Sequence, residues 1–315
     1  MTTINTRELG RTGLVVTKIC VGTSPLASMP TLYGYEVGAE RAEATIEAVL
    51  ACGLNFIDTS NNYGDGRAEL RIGHVLRKHA GLPDGLVVAT KVDADASTGD
   101  FSGDRVRRSV EESLSRLGLD NVQLMYLHDP EMYMTFAEAM AARGPIDALI
   151  QLRDAGVVQH LGVAAGDVAL MRQLISTDVF EVALNHNRYT LVDRGAEPLI
   201  EDAVARGVAF VNAAPYGGGI LSNGSGARTT YGYRPAAELL LDQIRKMHGA
   251  CQRHGIPLAA AALQFSLRDS RIASTVVGMS SPDRVAETLT LASLEVPDTL
   301  WDELAALAPP PHTWL

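Results

Sequence analysis

Short apolar runs rich in Val, Ile, Leu and Ala recur along the chain and alternate with longer stretches in which apolar side chains return every three or four positions. A strand buried on both faces reads as an unbroken run, whereas a helix lying on a sheet reads as one apolar face. The runs fall at 18–21, 55–58, 86–90, 122–127, 160–163, 181–184, 208–212 and 274–277. Between them, Ala42, Ile46, Val49 and Leu50 form one helical face, and Val106, Val110, Leu114 and Leu117 form another. This alternation predicts βα units around a parallel sheet. Eight such units favour a closed (β/α)8 TIM barrel, an α/β fold, over an open doubly wound sheet, which uses fewer strands.

Three regions depart from the alternation. Residues 7–17, with Leu9-Gly-Arg-Thr-Gly-Leu at their centre, predict an N-terminal β-hairpin turning at glycine. Residues 216–235 are rich in Gly and Ser and too long for an ordinary βα connection, so they read as a functional loop. Beyond the last strand come further helices and a tail, 308–315. Its three consecutive prolines rule out a helix after Ala308 and leave it lying across the surface or over a pocket.

Composition narrows the class. At 315 residues, with 46% hydrophobic and 20% charged positions, the chain suits one barrel domain spanning residues 1–315 with a well-buried core. The formal charge is −10 and no window is dense in Lys and Arg, which disfavours nucleic acid and anionic membranes as partners. The first ten residues hold no apolar signal region and no run is long enough to span a bilayer, so a cytoplasmic location is expected. A monomer and a homo-oligomer are both compatible with this composition. Cys20, Cys52 and Cys251 lack metal-type spacing and read as buried, reduced thiols. Asn223-Gly-Ser matches a glycosylation sequon, but with no secretory signal it reads only as a loop. No His-x-His or His-Glu-x-x-His occurs among the eight histidines, which disfavours a metal-dependent hydrolase, and no metal is expected.

Three apolar runs end abruptly in chemistry. Asp58, Lys91 and His128 close successive predicted strands, and Tyr63 follows the first of these by a few loop residues, beside Gly64 and Gly66. In a barrel of this kind the C-terminal strand ends converge on one mouth. A phenol with a pKa of about 10 becomes a usable base when an ammonium lies close, and Lys91 can supply that charge. A lysine in a partly dry site needs a counter-charge, which Asp58 provides. His128 offers an N–H to polarise a carbonyl oxygen. Taken singly, Asp58 reads as a helix cap, Tyr63 as a rim aromatic, Lys91 as a solvated charge and His128 as a packed imidazole. Their order on three successive strand ends favours proton transfer coupled to hydride transfer at a carbonyl carbon.

With these segments in view, the sequence resembles an aldo-keto reductase. Leu9-Gly-Arg-Thr-Gly-Leu, Phe56-Ile-Asp58-Thr-Ser-Asn-Asn-Tyr63-Gly, Ala89-Thr-Lys91, Leu127-His128 and Gly278-Met-Ser-Ser-Pro-Asp-Arg284-Val-Ala-Glu287 carry the resemblance over nearly the whole chain. It implies a nicotinamide dinucleotide, NAD or NADP, bound without a Rossmann fold, and no Gly-x-Gly-x-x-Gly is present. It also implies a catalytic tetrad of Asp58, Tyr63, Lys91 and His128. Within the family, His128-Asp-Pro, Arg188-Tyr-Thr-Leu and Asn212-Ala-Ala-Pro-Tyr-Gly-Gly-Gly are most similar to aldose 1-dehydrogenases acting on fucose, galactose and related sugars. Those enzymes oxidise the anomeric carbon to a lactone, which gives Tyr63 the part of base and His128 that of substrate guide. Pyridoxal dehydrogenases of the same branch are similar.

The resemblance also places the cofactor shell, at Gly22, Thr23, Asp58, His186, Pro215, Tyr216, Gly217, Gly278, Ser280, Arg284 and Thr288. It departs from the family at several points. Ala164-Ala165 replaces the Ser-Asn pair that holds the carboxamide, His186 replaces a Gln, and Ala213 stands near the position of a stacking aromatic, for which Tyr216 or backbone would substitute. Gly278 replaces a Lys at the phosphate end while Arg284 is kept, and the amides opening the helix near Ser280 can hold phosphate. These changes lean towards NAD. Tyr33 and Trp314 are candidate substrate contacts, with Tyr33 also readable as a rim aromatic and Trp314 as a plug on the barrel wall. Two further readings use the same residues: reduction of small aldehydes or ketones with Tyr63 as acid, and a cofactor-sensing regulatory subunit.

Overall fold

The structure, a computed structural model, describes residues 5–223 and 228–315. Eight parallel strands close into a barrel: β1 (Ile19–Gly22), β2 (Phe56–Asp58), β3 (Val87–Val92), β4 (Val122–His128), β5 (Val158–Ala165), β6 (Val182–His186), β7 (Ala209–Ala213) and β8 (Ile272–Gly278). They neighbour one another in chain order, and β8 pairs back onto β1 through Thr275 with Ile19 and Gly278 with Gly22. Each of the eight expected runs is a barrel strand.

Strand parity decides what fills the barrel. Alternate residues point inward, so Phe56, Val87, Ala89, Leu124, Tyr126, Leu184 and Val211 pack together as an inner core. Gly162 belongs to the same layer, where a Cβ would stand 2.4 Å from the ring of Tyr126. The opposite parity packs against the helices, among them α1 (Ala39–Cys52), α2 (Arg67–Lys78), α3 (Gly103–Leu117) and α4 (Pro145–Asp154). The expected helical faces are buried at Ala42, Ile46, Val49, Val106, Val110 and Leu117.

The hairpin pairs Thr6–Glu8 with Val15–Thr17 and closes the barrel floor, where Leu9 and Val16 are fully buried in the inner core. Burying each contributes about 1.5–3 kcal/mol. Arg7 ties the hairpin to the start of β8 by donating to the carbonyls of Asp269 and Ser270, both at 2.9 Å. After β5 and β6 come α5 (Val168–Ile175) and α6 (Glu197–Ala205), and α7 (Glu238–Arg253) and α8 (Leu258–Leu267) follow β7. The chain then runs through α9 (Pro282–Ser293) and α10 (Asp298–Ala306).

The long connection after β7 is more structured than a plain loop. It holds a helical turn at Ile220–Asn223 and a two-residue ladder, Thr230–Tyr231 against Arg234–Pro235. Buried Tyr231 pins it over the barrel by donating to the Asn187 carbonyl at 2.7 Å. The Gly-Ser half of the sequon at Asn223 lies outside the described residues. The tail contains no α-helix, as its prolines require, but winds one 3-10 turn at Pro311–Thr313. Cys20 and Cys251 are buried free thiols, while Cys52 is only partly buried at the end of α1.

Candidate active site

Parity also builds the site. Asp58 follows Phe56 by two, Lys91 follows Ala89 by two and His128 follows Tyr126 by two, so all three continue inward-facing rows to the C-terminal mouth. Lys91 is 1% exposed and uses all three of its donors. Its Nζ gives hydrogen bonds to Asp58 Oδ1 at 2.7 Å, the Thr59 carbonyl at 2.6 Å and Tyr63 Oη at 3.2 Å. The expected anchor, tuner and phenol are therefore in contact.

The direction of the tuning is not the expected one. Burial pushes the Tyr63 phenol well above 10, and the carboxylates of Asp58, Asp129 and Asp93 add to it. Lys91 does not reverse this because Asp58 neutralises its charge at close range. Burial likewise raises the Asp58 carboxyl, with Lys91 pulling it back.

His128 is held from behind by a residue the sequence reading passed over. Its Nδ1 lies 2.6 Å from Asp93 Oδ1, and Asp93 Oδ2 accepts from Ser60 Oγ at 2.5 Å and the Asn62 amide at 3.1 Å. Nδ1 also lies 3.2 Å from Ser60 Oγ. Burial opposes a charged ring, but Asp93 and Asp129 outweigh it and hold the His128 pKa above 6.5. The loop carrying Ser60 to Tyr63 is clamped by a buried network. Arg105 bonds both oxygens of Glu112 and Asn61 Oδ1, while Arg116 bonds the Asn61 carbonyl and Glu69.

A cavity of about 250 Å³ opens next to the tetrad, lined by none of its four residues but by Asp129, whose Oδ2 lies 3.6 Å from His128 Nε2. Its wall includes Asp129, Glu131, His186, Asn187, Arg188 and Arg234, with Leu315 at one edge. Four buried polar atoms on this wall lack a hydrogen-bond partner: Asp129 Oδ1, Glu131 Oε2, Asn187 Oδ1 and Arg188 Nη1. The other Glu131 oxygen accepts the amides of Gly166 and Asp167 at 2.6 and 3.1 Å, which fixes the carboxylate. Asp129 is left-handed at φ 41, a conformation that turns its side chain between His128 and His186, each with Nε2 3.6 Å from a carboxylate oxygen. Burial alone would raise the Asp129 carboxyl, yet the two imidazoles bring it down to about 2.

The remaining expected contacts divide. Gly22 and Gly278 end adjacent strands, and Thr23 donates its hydroxyl to the Asp58 carbonyl at 2.9 Å. Pro215, Tyr216 and Gly217 follow β7, with Tyr216 half-buried. Arg284 lies in the first turn of α9, ion-paired with Glu287 at 2.7 Å, and Arg41 reaches the Ser280 carbonyl. Thr288 departs from its expected part, since it is 1% exposed and its hydroxyl proton goes to the Arg284 carbonyl in its own helix. Tyr33 donates to Ser24 Oγ at 2.8 Å and lies beside Tyr35. Trp314 is turned back on Pro309, so the tail meets the cavity through Leu315 instead, whose amide is held by Asp193.

A nicotinamide dinucleotide can be tested against these residues. Ala164 and Ala165 are buried and carry no side-chain polar atom, so they cannot hold a carboxamide as the usual pair does. Asn187 Oδ1 is a free acceptor for an amide N–H, and the Arg284 guanidinium in the first turn of α9 suits a phosphate. The residues present fit the group, with the carboxamide shell rearranged.

Comparison with known proteins agrees with this geometry. The profile of the Aldo/keto reductase family matches residues 18–309. Pyridoxal 4-dehydrogenase of Microbacterium luteolum is 30% identical over 95% of this chain and 96% of its own length. D-threo-aldose 1-dehydrogenase of a Pseudomonas species is 32% identical over 84% and 87%, and L-galactose dehydrogenase of Arabidopsis thaliana is 30% identical over 98% and 96%. Among solved structures, the holo form of aldo-keto reductase AKR11C1 from Bacillus halodurans superposes with a TM-score of 0.77 over 97% of this chain and 96% of that one, at 22% identity, which bears on the fold alone. With an extended family match and a barrel mouth holding Asp58, Tyr63, Lys91 and His128, this chain belongs to the aldo/keto reductase family of NAD(P)-dependent oxidoreductases.

Proposed function

We propose that the protein is an aldose 1-dehydrogenase, oxidising the anomeric carbon of a fucose- or galactose-like sugar to a lactone. The observation that carries this reading is the cavity next to Asp129, the neighbour of His128. Two unpartnered acceptors, Asp129 Oδ1 and Glu131 Oε2, and one unpartnered donor, Arg188 Nη1, belong to residues that line it. Buried polar atoms left unpaired cost about 1–3 kcal/mol each, and a ligand rich in O–H donors removes that cost. The small volume suits a single sugar ring better than a bulky ketone. Two relatives at 30% identity or more bear names of aldose dehydrogenases.

When bound, the dinucleotide supplies the hydride acceptor. The protein's part is to hold the substrate oxygen between Tyr63 and His128 while the proton leaves it, and to exclude water from the mouth. Ser280, Arg284 and the first amides of α9 would take the phosphate end, and His186 and Asn187 the carboxamide end. Gly278 in place of a cation and the pairing of Arg284 with Glu287 leave little charge for a 2′-phosphate, which favours NAD.

A second reading has a specific basis. The unpartnered oxygens of Asp129 and Glu131 would equally receive the pyridinium N–H and phenol of pyridoxal, the substrate named for one relative. A panel of aldoses, pyridoxal and aromatic aldehydes, assayed for NADH and NADPH formation or loss, separates the cases. Preference set by sugar hydroxyl stereochemistry supports the aldose reading, and turnover of pyridoxal alone replaces it. Turnover confined to simple aldehydes points to a general reductase, and binding of dinucleotide with no turnover of any substrate points to a sensor.

A further inference from the structure

The two-residue turn between Thr230–Tyr231 and Arg234–Pro235 holds a residue that its backbone disfavours. Gly232 and Tyr233 both have positive φ, at 52 and 69. A hairpin turn of this kind asks for glycine or asparagine, because a larger side chain crowds its own backbone. Gly232 meets the demand, whereas Tyr233 is the only aromatic among the described non-glycine residues with positive φ. Asp129 at 41 and Asn187 at 62 share the strain, and both line the cavity. Strained backbone gathers where a functional site holds it in place. No hydrogen bond or ring stack of Tyr233 offsets its strain among the described residues. It is 54% exposed, while the exposed rings of Tyr35 and Tyr133 pack against Tyr33 and Phe101.

The place of the ring is nevertheless fixed. The hairpin sits on the glycine run after β7, where a Cβ on Gly217 would stand 2.3 Å from the Tyr231 ring. A Cβ on Gly218 would stand 3.7 Å from the Tyr233 amide nitrogen and 3.8 Å from the Tyr233 ring. Gly232 and Arg234, on either side of Tyr233, line the cavity. Burial and then the Asp129 charge push the Tyr233 phenol upwards, and Tyr233 adds, after burial, to the rise at Tyr33. The phenol therefore stands at the cavity edge, within electrostatic reach of Asp129 on one side and Tyr33 on the other.

We propose that the Tyr233 ring is the platform on which the flat face of a ring-shaped substrate rests, which makes Tyr233 a specificity-determining residue. The proposal rests on the reading that the cavity takes the substrate. Galactose- and fucose-like pyranoses carry an axial hydroxyl that leaves several C–H bonds together on the opposite face. Asp129 Oδ1, Glu131 Oε2 and Arg188 Nη1 can take hydroxyl groups, but the wall has only Met132 and Leu315 as apolar side chains. An aromatic ring supplies the missing flat apolar area with few torsions to fix. Tyr33, the aromatic that the sequence suggested, already gives its hydroxyl to Ser24 and packs beside Tyr35. Tyr233 has no such engagement to break.

The test compares Tyr233→Gly, which removes ring and strain together, with Tyr233→Phe, which keeps both. Thermal unfolding without any ligand comes first, and Tyr233→Gly should melt about 1–3 °C above the parent. Affinity for L-fucose and for pyridoxal is then read by calorimetry on enzyme loaded with NADH, which cannot oxidise either. Tyr233→Gly should bind whichever of them the parent binds about 5–20-fold more weakly, and Tyr233→Phe should stay within about twofold. In steady-state assays the same loss should appear in KM, with kcat within about threefold. A lower melting temperature for Tyr233→Gly makes the ring a prop of the fold and overturns the inference. Unchanged affinity in Tyr233→Gly overturns it too, as does an equal loss in Tyr233→Phe, which assigns the contact to the hydroxyl. Binding of pyridoxal without L-fucose overturns the aldose reading alone, and binding of neither removes the ring-shaped substrate and the platform with it.

Discussion

Lys91 Nζ and Asp58 Oδ1 lie 2.7 Å apart with both side chains almost wholly buried. The pair is electrically neutral from outside, which is why Lys91 does not acidify Tyr63 although the two touch. Tyr63→Phe removes the longest of the three Lys91 contacts and leaves the two shorter ones. Its stability should change by less than about 1 kcal/mol. Turnover should fall by about 10²–10³, the loss of one donor to the reacting oxygen. Dinucleotide affinity by fluorescence titration should be nearly unchanged. Lys91→Met, by contrast, strands a buried carboxylate and should cost about 3–5 kcal/mol in urea unfolding.

Helices α2 and α3 meet at Gly73, where a Cβ would stand 2.0 Å from the Arg116 carbonyl oxygen and 3.0 Å from the Leu117 carbonyl carbon. Both obstacles are backbone, so the helices must separate. That separation would pull on Arg116, which holds Glu69 and the Asn61 carbonyl of the catalytic loop. Gly73→Ala should destabilise the fold by about 3 kcal/mol, seen as a lower urea midpoint at unchanged slope. It should also reduce turnover without touching the substrate.

Asp269 carries a pH signal. Burial would raise its carboxyl, but hydrogen bonds from Arg271 and Tyr189 depress it to about 2. The folded value lies below the unfolded one of about 3.9, so the group stabilises the fold above that pH and loses its contribution as pH falls towards 2. At neutral pH, Asp269→Asn should be less stable by about 1 kcal/mol after allowance for solvent screening. The gap between parent and variant should close between pH 4 and pH 2 in urea titrations. A gap constant across that range would mean that Asp269 acts through packing.

The barrel was legible because buried parallel strands leave unbroken apolar runs, and the tetrad because those runs stop at residues with no place in an apolar row. Asp93 carried the same signal and was passed over. It sits two positions after Lys91, hence on the same inward row, but three residues beyond the run 86–90 and one beyond the strand itself. Asp129, Glu131 and Arg188 were visible only as loop charges, since nothing local says that they line one cavity. The Tyr63 shift could not be read locally either, because it is summed over carboxylates from several loops. For Trp314 the sequence left a lid and a wall plug equally open, because nothing local says that its indole donates to the Pro309 carbonyl while the neighbouring Leu315 lines the cavity.

Asp129 separates substrate recognition from proton handling. Its Oδ1 is a free acceptor on the cavity wall, and its charge helps to hold the His128 pKa up. Asp129→Asn keeps one acceptor, loses the other and removes the charge. If Oδ1 receives a sugar hydroxyl, KM for the preferred aldose should rise about 10–100-fold, the range for one hydrogen bond to a charged group. KM for benzaldehyde, which has no hydroxyl to offer, should stay within about twofold, because it never used that bond. A kinetic pH limb that reports His128 should move to lower pH, since the Asp129 charge holds that pKa up. Steady-state kinetics over a pH series reads both effects at once. Equal changes in KM for sugar and aldehyde would assign Asp129 to the histidine alone and leave Glu131 and Arg188 to recognise the substrate.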